Sequence, residues 1–181
     1  RRVNQICVAY DGMEKYFPPD KMILTGNPLR KDILIKADKK AEACAHYGFD
    51  VNTKTLLVVG GSLGARTINE SILQQIEKLI HGRVQVLWQT GKGYYEAYRS
   101  QLSQYDLTRV RVYDFVREMD LAYAVADVVI SRAGALAVSE LCIMAKPAIL
   151  IPSPNVAEDH QTKNALALHE KNAAVMIADQ D

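Results

Sequence analysis

Four short segments carry residue types able to hold a phosphorylated ligand rich in hydroxyls. Gly60–Ala65 has glycines at 60, 61 and 64 with Ser62 among them. Glycine lets backbone approach a ligand and exposes amide donors at a helix start, which suits a phosphate. The loop lacks the GK[ST] ending of a P-loop and the spacing of GxGxxG. The next strand ends in Gln89–Thr90, where a dinucleotide fold requires an acid for the ribose. Taken alone, the loop fits a tight strand-to-helix turn equally well. Ser131–Glu140 has the same strand-loop-helix form. There Gly134 can free backbone amides toward a diphosphate, and Glu140, about one turn further on, can accept from both hydroxyls of a ribose. Its plainer reading is a carboxylate on a helix with Arg132 on the surface. Pro152–Asn164 is a long polar loop entering a helix. Gln161 there suits sugar hydroxyls, but Asp159, His160 and Gln161 also fit an N-cap and a solvated first turn. Gly26–Arg30 places an arginine just after a strand, where it can reach a phosphate or simply face solvent.

These segments need strands and helices to position them. Short β-rich runs alternate with helix-length segments, the pattern of a parallel sheet wrapped by helices. Strands are expected at Gln5–Tyr10, Met22–Thr25, Thr55–Val59, Val84–Gln89, Val110–Tyr113, Val128–Ser131, Ala148–Ile151 and Ala174–Ile177. Several are almost wholly apolar, as strands covered on both faces are. Helices are expected at Lys36–Tyr47, stopped by Gly48, and at Arg66–Ile80, with Ile68, Ile72, Ile76 and Leu79 on one face. Tyr94–Leu102, Met119–Val125, Ala135–Met144 and Gln161–Lys171 complete the set. The fold class is therefore α/β, a doubly wound, Rossmann-like parallel sheet. In such a sheet ligands bind beyond the carboxyl ends of the strands, where these four segments lie. Pro18–Pro19 cannot continue a strand ladder, so residues 1–20 are expected to be the tail of a preceding domain and the start of a linker. Residues 21–181 would then form the second domain.

Composition removes several function classes. With 181 residues, 24% charged and a net charge of +1, the chain has no electrostatic case for binding nucleic acid. Cys7, Cys44 and Cys142 lack metal-ligand spacing and read as buried thiols in a reducing compartment, with no metal site implied. No apolar run approaches the ~18 residues of a membrane span, and no signal-peptide pattern opens the chain. Arg1 stands where an initiator methionine is expected, and the strand at Ala174–Ile177 has no helix after it, so both ends are expected to be interior to a longer protein.

Taken in order, Gly26–Arg30, Gly60–Ala65, Gln89–Lys92, Ser131–Ala135 with Ser139 and Glu140, and Asp159–Asn164 resemble the MurG family. These bacterial enzymes transfer N-acetylglucosamine from UDP-N-acetylglucosamine to the lipid-linked muramyl-pentapeptide precursor of peptidoglycan. The resemblance covers nearly the whole chain. It implies one half of a GT-B fold, the C-terminal donor domain truncated at its end, and an inverting hexosyltransferase that needs no cofactor or metal. It also implies binding of UDP-N-acetylglucosamine by Arg30, Gly61, Ser62, Gly64, Val116, Arg132, Gly134, Ala135, Leu136, Ala137, Ser139, Glu140 and Gln161. Within that set Ser62, the glycine loop and the amides near Leu136 and Ala137 would face the diphosphate. Glu140 would take the ribose, the backbone at Val116 the uracil edge, Gln161 the sugar, and Arg30 would close on the nucleotide. Leu63 and Ala137 depart from the family's usual glutamine and threonine, each losing a polar side-chain contact but no backbone one.

By the same resemblance the catalytic base lies in a preceding domain, none is expected in this chain, and the chain alone is expected to transfer nothing. The acceptor and the cytoplasmic face of the cell membrane, held peripherally, would be its partners. Two other readings stay open from the residues: a UDP-N-acetylglucosamine 2-epimerase, which needs no acceptor, and a non-catalytic nucleotide-binding module.

Overall fold

The computed structural model describes residues 3–10, 12–34, 39–156 and 159–181. β1 (Ile6–Val8) and β2 (Met22–Leu24) pair in parallel as a separate two-stranded sheet. Six further strands form one parallel sheet: β3 (Thr55–Val59), β4 (Gln85–Gln89), β5 (Val110–Tyr113), β6 (Val128–Ser131), β7 (Ala148–Leu150) and β8 (Val175–Met176). Their order is β5-β4-β3-β6-β7-β8. The helices are α1 (Lys31–Leu34), α2 (Lys40–Tyr47), α3 (Arg66–Gln74), α4 (Ile76–His81), α5 (Tyr95–Leu102), α6 (Met119–Val125), α7 (Ala135–Met144) and α8 (His160–His169).

Because side chains alternate across a strand, the sheet carries two cores. Leu57, Leu87 and Val129 face α2, α6, α7 and α8 through Cys44, Tyr47, Ala122, Val125, Leu141 and Ala165. Val58, Val86 and Trp88 face the opposite layer, where Ile68 and Ile72 of α3, Ile76 of α4, and Tyr98 and Leu102 of α5 complete the packing. Full burial of such a side chain stabilises the fold by roughly 1.5–3 kcal/mol each. The doubly wound α/β expectation therefore holds.

Several boundaries differ from the sequence reading. The long helix expected from Arg66 to Ile80 is interrupted at Gln75, whose backbone (φ −105, ψ 5) leaves helical geometry. Ile76 stays on the apolar face despite the break. α2 ends where Gly48 takes a left-handed conformation (φ 64, ψ 43). Its expected start at residues 36–38 lies outside the described residues, as do residues 157–158 of the polar loop before α8. β1, β2, β4, β7 and β8 are each shorter than expected, whereas β3, β5 and β6 keep the expected bounds, and α1 was not anticipated. Of the cysteines only Cys44 is buried; Cys7 and Cys142 are exposed, which corrects their reading as buried thiols. Cys7 belongs to the separate two-stranded sheet, and Cys142 lines a surface groove shared by α7, α8 and the segments that follow β1 and β2. No helix among the described residues is long and apolar enough to cross a membrane.

The end of the sheet where strands begin is closed by its own polar groups. The Asp127 carboxylate accepts from the Thr55 backbone N–H at 2.9 Å and from Lys54 Nζ at 3.0 Å. Gln85, buried at the start of β4, accepts from Asp50 N–H at 2.6 Å. Its amide donates to the Asp50 and Thr53 carbonyls and to Thr55 Oγ1.

Candidate functional site

From β3 the chain steps outward to β4 and β5, then returns to place β6 on the other side of β3. Where strand order reverses in this way, the loops after the two neighbouring strands lead to helices on opposite faces and a crevice opens between them. The loops here are Gly60–Ala65 after β3 and Arg132–Gly134 after β6, so both glycine segments fall at the reversal. α3 and α7 start from them and point the positive ends of their dipoles at the crevice.

The crevice is a groove with two arms. One arm, about 720 Å³, is lined by the Gly60–Ala65 loop, Arg132, Gly134, Ala137, Ser153, Gln161 and Asp179. The other, about 530 Å³, is lined by Arg30, Phe115, Val116, Tyr123, Ala135, Leu136 and Glu140. Val59, Gly61, Ser62, Gly134 and Ala137 line both, so the arms meet at the two helix starts.

The two glycine segments are built differently. Gly64 has φ +81 and a side-chain carbon there would overlap the Thr90 carbonyl oxygen; one at Gly91 would run into the Gly64 backbone. This loop is therefore seated directly on the end of β4. Gly134 has φ −65, open to any residue, and a side-chain carbon on it would meet nothing within 4 Å. Its missing side chain leaves space in the groove where the arms join.

Glu140 sits on α7, only 8% exposed. The Tyr123 hydroxyl donates to its Oε2 at 3.0 Å, and Arg30 Nε lies 3.7 Å from its Oε1. Burial and then the Glu140 carboxylate push the Tyr123 hydroxyl far above the usual phenol range, so it remains a donor at any physiological pH. Two partners thus orient the carboxylate, which keeps acceptor capacity for a ligand in the second arm. Arg30 is held nearby because Asn27 Nδ2 donates to Ser139 Oγ at 3.0 Å, pinning the Gly26–Arg30 segment to α7.

Twelve of the thirteen expected binding residues line the groove; Ser139 lines neither arm. Its hydroxyl donates back to the Ala135 carbonyl at 2.9 Å and accepts from Asn27. Arg132 is present, but its guanidinium is already committed to the Asp179 carboxylate, to Thr67 Oγ1 at 3.1 Å and to the Ile151 and Pro152 carbonyls at 3.1 Å. It fastens α3 to the ends of β7 and β8. Gln161 lines the first arm and accepts from the Ser153 N–H at 3.0 Å. Leu63 is 84% exposed on the rim of that arm.

Sequence reasoning missed Tyr123, Asn27 and Gln89 as individual contributors. Gln89, 2% exposed at the end of β4, donates to the Gly61 carbonyl at 2.9 Å and accepts from the Val116 N–H at 2.8 Å. A polar residue at the carboxyl end of a strand, next to a glycine-bearing loop, was the available signal for it.

The family model of the glycosyltransferase family 28 C-terminal domain matches residues 55–181. The chain belongs to this family. The family 28 domain begins at the first residue of β3 and so takes in the whole six-stranded sheet and both glycine segments. Over 181 residues the chain is 57% identical to the "UDP-N-acetylglucosamine--N-acetylmuramyl-(pentapeptide) pyrophosphoryl-undecaprenol N-acetylglucosamine transferase" of Parabacteroides distasonis, covering all of this chain and 49% of that protein. It is 55% identical to the protein of the same name from Cytophaga hutchinsonii, again covering all of this chain and 48% of the other. The chain thus spans about half the length of the curated relatives it matches. Among solved structures it superposes on Acinetobacter baumannii MurG with a TM-score of 0.66 and 28% identity, covering 90% of this chain and 45% of that one. The resemblance read from the motifs is borne out, and this family 28 domain has the fold of one half of a GT-B glycosyltransferase.

Proposed function

We propose that this chain is the donor-binding half of an inverting transferase that moves N-acetylglucosamine from UDP-N-acetylglucosamine to a lipid-linked muramyl-pentapeptide acceptor. The observation that carries the reading is the convergence of the α3 and α7 starts on one groove at the strand-order reversal, with an oriented Glu140 in one arm. The diphosphate lies where the arms meet, against the Gly61–Gly64 backbone and the amides of Leu136 and Ala137. The nucleoside occupies the arm with Glu140 at the ribose and Val116 at the base. The sugar occupies the arm that contains Gln161. Residues 1–20 carry the tail of the acceptor-binding half and the start of the linker, and residues 21–181 form the donor domain.

In the reaction the acceptor hydroxyl attacks the anomeric carbon, the glycosidic bond to the diphosphate oxygen breaks, and UDP departs from the opposite face. Negative charge grows on the departing diphosphate, where fixed amide dipoles at two helix starts stabilise it without reorganising. The acceptor proton goes to a base outside this chain, so the chain alone is expected to bind donor and transfer nothing. A lipid acceptor places the working enzyme peripherally at the cytoplasmic face of the cell membrane.

The test is calorimetric titration of the chain with UDP-N-acetylglucosamine, UDP-N-acetylgalactosamine, UDP and NAD, repeated on Glu140→Ala. The expected result is UDP-dependent binding that prefers the N-acetylglucosamine donor and weakens at least about tenfold in the variant, the size of one charge-assisted hydrogen bond. Binding of NAD, or UDP binding indifferent to Glu140→Ala, would overturn the reading.

A further inference from the structure

We infer that Gln89 is a positioning residue that couples the nucleoside arm of the groove to the diphosphate loop. The inference rests on the donor-groove reading and adds to it a residue that lines the nucleoside arm and acts through the backbone of its two neighbouring loops. β4 lies between β3 and β5, so its last residue stands between the loop after β3 and the loop after β5. Gln89 spans that gap with a single side chain. Its Nε2 donates to the Gly61 carbonyl at 2.9 Å, and its Oε1 accepts from the Val116 N–H at 2.8 Å. Gly61 and Ser62 line the meeting point of the arms, while Val116 lines the nucleoside arm alone.

Chemistry explains why an amide is needed. One planar group must present a donor to a carbonyl on one side and an acceptor to an N–H on the other, which the glutamine amide does without titrating. Gln89 is 2% exposed, and its bond to the Val116 N–H is buried with it. The same geometry creates the coupling. The Val116 N–H is already engaged, so a base drawing on the backbone there competes with Gln89 Oε1 or tightens against it. Either displacement turns the amide plane and shifts the donor offered to Gly61. Gly61 has φ +86, and its carbonyl accepts from the Gly64 N–H at 3.0 Å as well as from Gln89, so a shift of that carbonyl is passed along the loop to Gly64. Occupancy of the base site is thereby transmitted to the loop that receives the diphosphate.

The experiment is amide NMR of the 181-residue chain titrated with uridine, which has no phosphate to touch the glycine loop, alongside UDP affinities. In the native protein saturating uridine is expected to shift the Val116 resonance and also those of Gly61 and Ser62. In Gln89→Leu the shift at Val116 persists, the response of Gly61 and Ser62 disappears, and UDP binding weakens about tenfold. Gln89→Glu keeps the acceptor for Val116 but presents an acceptor to the Gly61 carbonyl. It should lose the same response, and it carries the test if the leucine variant does not fold. A purely structural role would lower the melting temperature and leave the uridine response of Gly61 and Ser62 intact, which would overturn the coupling while sparing the donor-groove reading. Failure of both uridine and UDP to shift any groove resonance in the native protein would overturn both.

Discussion

β4 begins and ends in a buried glutamine, and the two serve opposite ends of the sheet. Gln85 makes four hydrogen bonds, all to Asp50, Thr53 and Thr55, so its polar capacity is used up in closing the end where strands begin. Gln89 makes two, to the Gly61 and Val116 backbone of two loops that line an open groove. Residue type, strand and burial are the same in both cases. What differs is what the partners face: at one end only the fold, at the other a space of ligand size. Buried polar groups that satisfy one another completely make scaffold, whereas those holding loops around an unfilled groove make a site.

The largest departure from that division is expected at Gly64→Ala. Although this residue lines the open groove, its left-handed backbone and its contact with the Thr90 carbonyl make it part of the scaffold. A side-chain carbon there requires the loop to lift off β4, at a cost of about 3 kcal/mol or more. A fall of this size in chemical denaturation, accompanied by loss of nucleotide binding, is the expected outcome. Retention of full stability would mean that the loop is not seated as described.

Gln85→Leu should be next in size. It takes from the Asp50 N–H, the Asp50 and Thr53 carbonyls and the Thr55 hydroxyl the partner they share at the closed end, worth about 2 kcal/mol of stability. Nucleotide affinity of the folded variant should match the native protein, in contrast to Gln89→Leu. Equal losses of binding in the two variants would break the comparison between the ends.

Asp127→Asn probes the same closed end through pH. Burial works to raise the Asp127 carboxyl, but the Thr55 N–H and then Lys54 and Lys40 outweigh it and hold its pKa below the ordinary value. A carboxyl depressed on folding contributes its full stability above the unfolded pKa of about 3.9 and loses it as pH falls through the lower, folded value. The variant should therefore be less stable than the native protein by about 1 kcal/mol at neutral pH. The gap should close in acid below about pH 4, as followed by thermal melting across pH. A gap that persists at the lowest pH would remove Asp127 from the account.

Much of this organisation is legible in the sequence, for physical reasons that also mark where legibility ends. Apolar runs such as Leu56–Val59 and Val86–Trp88 announce strands covered on both faces, and glycines at 60, 61, 64 and 134 announce backbone that must turn or make room. Ser139 and Glu140 were grouped as neighbours, yet adjacent residues on a helix diverge by about 100°. Only Glu140 reaches the groove, while Ser139 turns to Asn27. The engagement of Arg132 depends on Asp179, 47 residues later, which no local pattern reveals. Gln85 and Gln89 look alike as sequence, because what separates them is the spatial arrangement of loops that β4 itself does not encode.

The smallest change in stability, and the sharpest test of the open end, is expected from Gly134→Ala. Alanine is a poorer N-cap than glycine, which costs the folded state something under 1 kcal/mol. Losing glycine's freedom in the unfolded chain offsets about 0.4–1 kcal/mol, because φ −65 suits alanine without strain. The two nearly cancel, so the melting temperature should barely move. The new methyl group nevertheless projects into space that no protein atom occupies within 4 Å, at the junction of the two arms. If a diphosphate approaches the α7 backbone there, UDP affinity should fall severalfold by calorimetry while stability stays level. That combination separates a glycine kept for ligand access from one kept for the fold, as Gly64 is. Native affinity in Gly134→Ala would mean that the space beside α7 is not where the ligand lies, and the diphosphate would then have to be placed wholly against the Gly60–Ala65 loop.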